Sequence, residues 1–205
     1  MNPIEVLFLG SGDAFGSGGR FQACISVRTP SDRFLLDCGA SSLIAMKRAR
    51  IDPREVSKIL VSHLHGDHFG GIPFFVLDAQ LVTKRTGPLT IVGPPGLRER
   101  VTAAMEVLFP GSAGARRDFD LRFVELPPRT GTAIDGIDIT AFPVINSSGA
   151  IPYALRVDVA GRVIAYSGDT EWTPALVEAA RGADLFVCEA YFFDRKVKGH
   201  LDYAT

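Results

Sequence analysis

Long apolar runs are missing from this 205-residue chain, and so is a basic leader. The opening Met1-Asn2-Pro3-Ile4-Glu5 carries no cationic stretch, and the apolar residues after it stop at Gly10, so no signal peptide is expected. No segment reaches the roughly 20 apolar residues that a bilayer crossing needs, and no membrane role is expected. Cysteine is scarce. Cys24, Cys38 and Cys188 stand far apart with no paired spacing, which predicts buried, reduced thiols and a cytoplasmic protein. An excess of charge of either sign is lacking too: 22 Lys and Arg face 23 Asp and Glu. That balance removes any bulk attraction to nucleic acid or anionic membrane and leaves room only for a local basic cleft. The glycine- and serine-rich stretch Ser11–Ser17 has no Gly-Lys-Ser/Thr, so it reads as a tight turn rather than a nucleotide phosphate loop. Repeats, low-complexity tracts and linkers are absent, and one domain over 1–205 is expected.

What the chain does have is a mixture of short β-rich runs and helical stretches. Strands are predicted at Ile4–Leu9, Cys24–Arg28, Phe34–Asp37, Ile59–Ser62, Leu89–Val92, Leu121–Glu125, Ile137–Phe142, Tyr153–Val159, Val163–Ser167 and Leu185–Cys188. Helices are predicted at Ser41–Arg50, Ile72–Leu81, Pro95–Leu108 and Pro174–Arg181, with a last one beginning near His200. Thr29-Pro30-Ser31-Asp32 has turn chemistry. Such a mixture suits a layered α/β architecture with both sheet faces covered. Several strands end where polar chemistry begins, at Gly10, Asp37, Ser62, Ser167 and Cys188, which is how a rigid frame can carry a site.

Histidine is rare here, yet three of the four histidines fall within six residues, in His63-Leu64-His65-Gly66-Asp67-His68. Neutral imidazole and carboxylate are the donors that zinc and similar ions prefer. The spacing is not the helical i, i+4 pair of a zinc protease. Gly66 is expected to let the backbone turn sharply and face several side chains inward. Four donors from one tight loop close poorly around a single tetrahedral ion, so two adjacent ions are the easier arrangement.

Ser62-His63-Leu64-His65-Gly66-Asp67-His68-Phe69-Gly70-Gly71 resembles the signature of the metallo-β-lactamase superfamily. Leu9-Gly10-Ser11-Gly12-Asp13-Ala14-Phe15 and Leu36-Asp37-Cys38-Gly39 resemble its phosphodiesterase branch, which includes ribonuclease Z. Ser167-Gly168-Asp169-Thr170 resembles the next metal motif of that family. The resemblance implies a four-layer αββα sandwich, here lacking its C-terminal helix and strand, and a homo-oligomer. It implies that His63 and His65 hold a first zinc ion, that Asp67 and His68 hold a second, and that Asp169 bridges them. His200, after Lys198-Gly199, resembles the family's histidine that contacts substrate phosphate or protonates the leaving group, work that suits a near-neutral pKa. Glu189 is placed to orient it, and Tyr191-Phe192-Phe193 is read as packing beneath the site.

Two departures stand against this pattern. Where the family places a further first-metal histidine, seven residues before Tyr153, this chain has Asn146. A neutral amide offers only oxygen, so a weakened first site, or one favouring manganese, is implied. The family also ends on a helix and a strand bearing a last second-metal histidine, whereas this chain stops at Asp202-Tyr203-Ala204-Thr205 inside a predicted helix with no stop signal. A missing tail is expected, and turnover by this exact chain is in doubt.

The expected function is therefore hydrolysis by a metal-bound hydroxide, with Asp67 orienting the nucleophile and His200 protonating the leaving oxygen. The substrate expected is a phosphodiester or other small molecule. Transfer-RNA processing is disfavoured, because only one hairpin fits between Asn146 and Asp169 where the bacterial enzymes carry a long arm. Antibiotic hydrolysis is disfavoured by the missing export signal, and a di-iron redox centre by Leu64 and Gly66-Asp67. Thioester or lactone hydrolysis, and a degenerate member that binds without turnover, are the alternatives.

Overall fold

A computed structural model describes residues 4–204. The chain forms two compact units. One comprises the described residues up to Val61 together with His65–Glu125; the other comprises Ser62–Leu64 and the described residues from Leu126 onward.

The first unit is built on a six-stranded sheet whose strands lie in chain order: β1 (Glu5–Gly10), β2 (Cys24–Arg28), β3 (Arg33–Leu36), β4 (Val56–Leu60), β5 (Leu89–Gly93) and β6 (Leu121–Glu125). β1, β2 and β3 pair antiparallel; β3 to β6 run parallel. The β2–β3 turn is closed by Thr29, whose N–H donates to the Asp32 carbonyl at 2.8 Å. Parallel neighbours need crossovers, and these come from α1 (Ser42–Arg48), α2 (Gly66–Phe69) with α3 (Ile72–Leu81), and α4 (Leu97–Leu108). Phe34, Leu35, Leu36, Ile59, Leu60, Ile91 and Val92 are all fully buried. Consecutive residues on both faces are thus covered, as apolar runs in parallel strands require. α4 starts later than its predicted Pro95, because Gly96 takes a left-handed conformation (φ 86°) and serves as the N-cap.

Buried Arg85 ties this unit together locally. Its guanidinium donates to the carbonyls of Gly87, Pro88, Pro53 and Val56 at 2.8, 2.7, 3.2 and 2.7 Å. It fastens the segment after α3 to the start of β4.

The second unit carries a five-stranded sheet in the order β11-β10-β9-β8-β7. Its members are β7 (Thr132–Ile134), β8 (Ile137–Pro143), β9 (Tyr153–Val159), β10 (Arg162–Tyr166) and β11 (Leu185–Val187), with α5 (Pro174–Ala180) before β11. β7 to β10 form an antiparallel meander; β11 lies parallel to β10. Two tight turns close it, Asp135-Gly136 (φ 42° and 88°) and Ala160-Gly161 (φ 48° and 76°), both with the paired positive φ that matches strand twist. β8 alternates as a half-buried strand should, with Ile137, Ile139 and Ala141 buried and Asp138 exposed. α5 has Pro174 in its first turn and the Thr173 hydroxyl accepting from the Ala175 N–H. Leu176 and Ala179 pack with Ala154 and Leu201 against Phe142 and Val144.

Two expectations are corrected. β7 was not predicted: three residues give too short an alternation to be read. The helix predicted near His200 does not form. Gly199 is left-handed (φ 85°), the His200 N–H donates to Val197 at 3.2 Å in a turn, and Tyr191 and Tyr203 bond across to Leu201 and Phe192 at 3.0 and 2.9 Å. Among the described residues no helix is long and apolar enough to cross a membrane.

Candidate active site

In the first unit the chain leaves β4 and enters α2, whose N-cap is His65 and whose short turn carries Asp67 and His68. The His68 ring is buried, and its Nδ1 lies 2.6 Å from Asp37 Oδ2. A buried carboxylate so placed holds the proton on Nδ1 and leaves Nε2 as the lone-pair nitrogen. Nε2 lies 3.6 Å from Asp67 Oδ2. Asp37 sits just past β3, fully buried, with φ 58°. Left-handed backbone at a non-glycine residue costs on the order of 1–3 kcal/mol. It is held there by its own N–H on the Leu60 carbonyl (2.8 Å) and by the Cys38 N–H on the His68 carbonyl (2.7 Å).

Those two segments meet backbone to backbone. A Cβ at Gly39 would sit 2.2 Å from the Asp67 carbonyl oxygen, and one at Gly71 would sit 2.2 Å from that of Gly39. Glycine is required at both by close approach. Gly66 is not such a position. It has no left-handed φ, and a Cβ there would meet nothing within 4 Å, so the expected sharp turn at Gly66 is corrected to a short helix.

In the second unit His63 is fully buried. Its Nδ1 is 3.0 Å from the Ser62 hydroxyl, and the Ser62 carbonyl accepts from the Tyr153 N–H at 2.9 Å. Its Nε2 lies 3.8 Å from Asp169 Oδ2. Asp169 follows β10 through Gly168, whose φ of 57° and 2.8 Å approach of a would-be Cβ to Ser62 bar a side chain. Glu189 follows β11. One oxygen of its carboxylate accepts from the backbone N–H of Thr170 and Leu201, and the other lies 3.0 Å from His200 Nδ1. His200 Nδ1 is also 3.7 Å from Asp169 Oδ2, and the His200 ring stacks on Tyr191 at 4.4 Å between centroids. Burial pushes the Glu189 carboxyl above its ordinary range and the Asp169 charge adds to that, against the hydrogen bond from His200.

Asn146 stands in the same unit, its Nδ2 donating to the Gly199 carbonyl at 2.8 Å. A carbonyl can only accept, so this bond fixes which end of the amide is which. Its Oδ1 is buried with no hydrogen-bond partner among the described residues.

The structure thus brings Asp67 and His68 together with Asp37 in one unit, and His63, Asp169 and His200 together with Glu189 in the other. His65 is half-buried at the start of α2. Asp37 was named from sequence only as part of a motif; a lone aspartate ending a wholly apolar strand was the signal available. The thiol expectation holds for Cys24 and Cys38, both fully buried, and is corrected for Cys188, which is exposed.

Residues 32–204 match the family model described as the beta-lactamase superfamily domain, and the chain belongs to that superfamily. Within it the chain is ribonuclease Z-like. It is 34% identical over 155 residues to ribonuclease Z of Methanothermobacter thermautotrophicus, covering 75% of this chain and 48% of that protein, about half its length. To ribonuclease Z of Lachnoclostridium phytofermentans it is 25% identical over 239 aligned positions, covering 94% of this chain and 76% of that protein. Those 239 positions exceed the 205 residues present, so the relative carries insertions that this chain lacks. Between Asn146 and Asp169 this chain has only the β9–β10 hairpin. The short form of human tRNase Z superposes with a TM-score of 0.80 at 24% identity, covering 97% of this chain and 84% of that one, a likeness of fold. The fold is the expected metallo-β-lactamase fold.

Proposed function

We propose that this chain is a metal-dependent phosphodiesterase acting on RNA, in which His200 delivers the proton to the leaving oxygen. The observation that carries this reading is the arrangement of His200, Glu189 and Asp169 about one point. Their donor atoms lie within 4.8 Å of one another, in a unit that also holds buried His63 beside Asp169. The two carboxylates hold the His200 Nδ1–H between them, and buried His63, with Nε2 turned toward Asp169, is the imidazole–carboxylate pair that fits a cation. The buried, unpartnered Asn146 Oδ1 is a further oxygen donor of the same kind.

His63, His65, Asp67, His68 and Asp169 are the proposed ligands, of zinc or, with Asn146 in place of an imidazole, of manganese. When bound, such ions lower the pKa of water and stabilise charge on the attacked phosphorus. The remaining work falls to protein groups. Glu189 accepts from His200 Nδ1–H and stabilises the protonated ring, whose Nε2–H is the proton to be delivered; Tyr191, stacked on the ring, restricts its rotation. Asp37 fixes the His68 tautomer in the same manner. The names of the relatives support RNA as the substrate class.

Hydrolysis of bis-p-nitrophenyl phosphate with added zinc or manganese tests the reading. Turnover is expected, and lost in Asp67→Ala; His200→Ala is expected to lower cleavage of an RNA oligonucleotide, whose alkoxide leaving group needs the proton, about 10²- to 10⁴-fold while sparing the nitrophenyl ester. No turnover by the wild type with either metal would leave a protein that binds without reacting.

A further inference from the structure

A second set of groups adjoins His200 within the second unit and is not used by the chemistry above. His200 forms one wall of a cavity of about 490 Å³ whose other walls include Trp172, Lys196, Lys198, Glu171 and Asp202. Both acids are engaged. Glu171 Oε1 accepts from the Gly199 N–H at 2.8 Å, and buried Asp202 accepts from the Ala204 N–H at 2.9 Å. Neither lysine ammonium has an ion pair or hydrogen bond among the described residues, and both side chains are exposed. The two ammonium groups are thus cations at the cavity that no carboxylate among the described residues pairs with. Trp172 is 54% exposed at the same cavity, so its ring is open to a stacking partner. Neighbouring Arg195 is already spent, lying over the Phe192 ring at 3.8 Å.

The backbone beside Lys198 is held relative to His200. Gly199 joins Lys198 to it, and both sides of that glycine are held, the N–H by Glu171 and the carbonyl by Asn146. The chain that carries Lys198 therefore leaves the imidazole along a set path.

We infer that this cavity is a nucleotide subsite for single-stranded RNA: the base of the leaving nucleotide stacks on Trp172, and a phosphate adjoining the scissile one sits between Lys196 and Lys198. Aromatic faces and cations in alternation are what sequence-tolerant binding of single strands requires. The assignment of the leaving side follows from His200, whose proton goes to the leaving oxygen, and it rests on the reading of the previous subsection.

Binding of a fluorescein-labelled 12-nucleotide RNA, followed by anisotropy in EDTA from 50 to 200 mM KCl, tests it without turnover. Lys196→Gln/Lys198→Gln is expected to weaken binding and to flatten the slope of log K against log salt by roughly 0.7 to 1.4, the share of one to two phosphate contacts on a single strand. Trp172→Ala is expected to weaken binding roughly 5- to 100-fold with the slope unchanged. A merely structural loss would not divide affinity from salt slope in this way. Wild-type protein that does not bind the RNA, or variants whose affinity and slope match the wild type, would overturn the subsite. So would an effect of only one of the two variants. Binding as expected without bis-p-nitrophenyl phosphate turnover would refute the hydrolase and spare the subsite; turnover of RNA with silent variants would do the reverse.

Discussion

Asp37 shows how much a single side chain can be asked to do. It is buried, its backbone is left-handed, and its carboxylate meets a histidine 31 positions further along the chain. Removing the charge while keeping the shape isolates its electrostatic part. Asp37→Asn is expected to lower the affinity for zinc about 10- to 100-fold, the usual effect of losing the partner of a ligand histidine, as measured by chelator competition. The identities of the proposed ligands were legible because three imidazoles and a carboxylate crowd six residues. Glu189 was named as the residue that orients His200, and the two do meet; the Asp37–His68 pairing was not legible, since a backbone twist and long-range pairing that no local pattern encodes set it.

At the level of strands and helices, alternation and apolar runs were readable wherever the element was long enough. β8, β9 and α3 are plain in the sequence, and three-residue β7 is not. The helix expected at His200 failed for a specific reason: the segment bonds sideways to Tyr191 and Phe192 instead of along itself. Arg85 is the element-scale feature with the largest expected effect. Its guanidinium donates to carbonyls of two separate stretches, 53–56 and 87–88, and burial already lowers its pKa. Arg85→Ala is expected to cost on the order of 3 kcal/mol in urea denaturation, through carbonyls left without donors. Lysine should not restore it, for an ammonium cannot present a planar fork.

Over the whole molecule 22 Lys and Arg face 23 Asp and Glu, and Lys196 and Lys198 are the two that line the cavity beside His200. The three cysteines report on packing throughout the chain. Burial pushes the Cys24 thiol up to about 12 and that of Cys38 well above its ordinary range, while Cys188 is exposed. Iodoacetamide should therefore label native protein once, at Cys188, and three times in denaturant; native labelling at Cys24 or Cys38, read by mass spectrometry, would contradict the core described. The path of the chain has a further consequence. Ser62-His63-Leu64 belongs with the residues beyond Leu126, although some sixty residues of the other unit separate them in sequence. Splitting the gene after Glu125 would strand His63 on the opposite fragment from Asp169, so under the proposed ligand set neither piece is expected to turn over substrate alone.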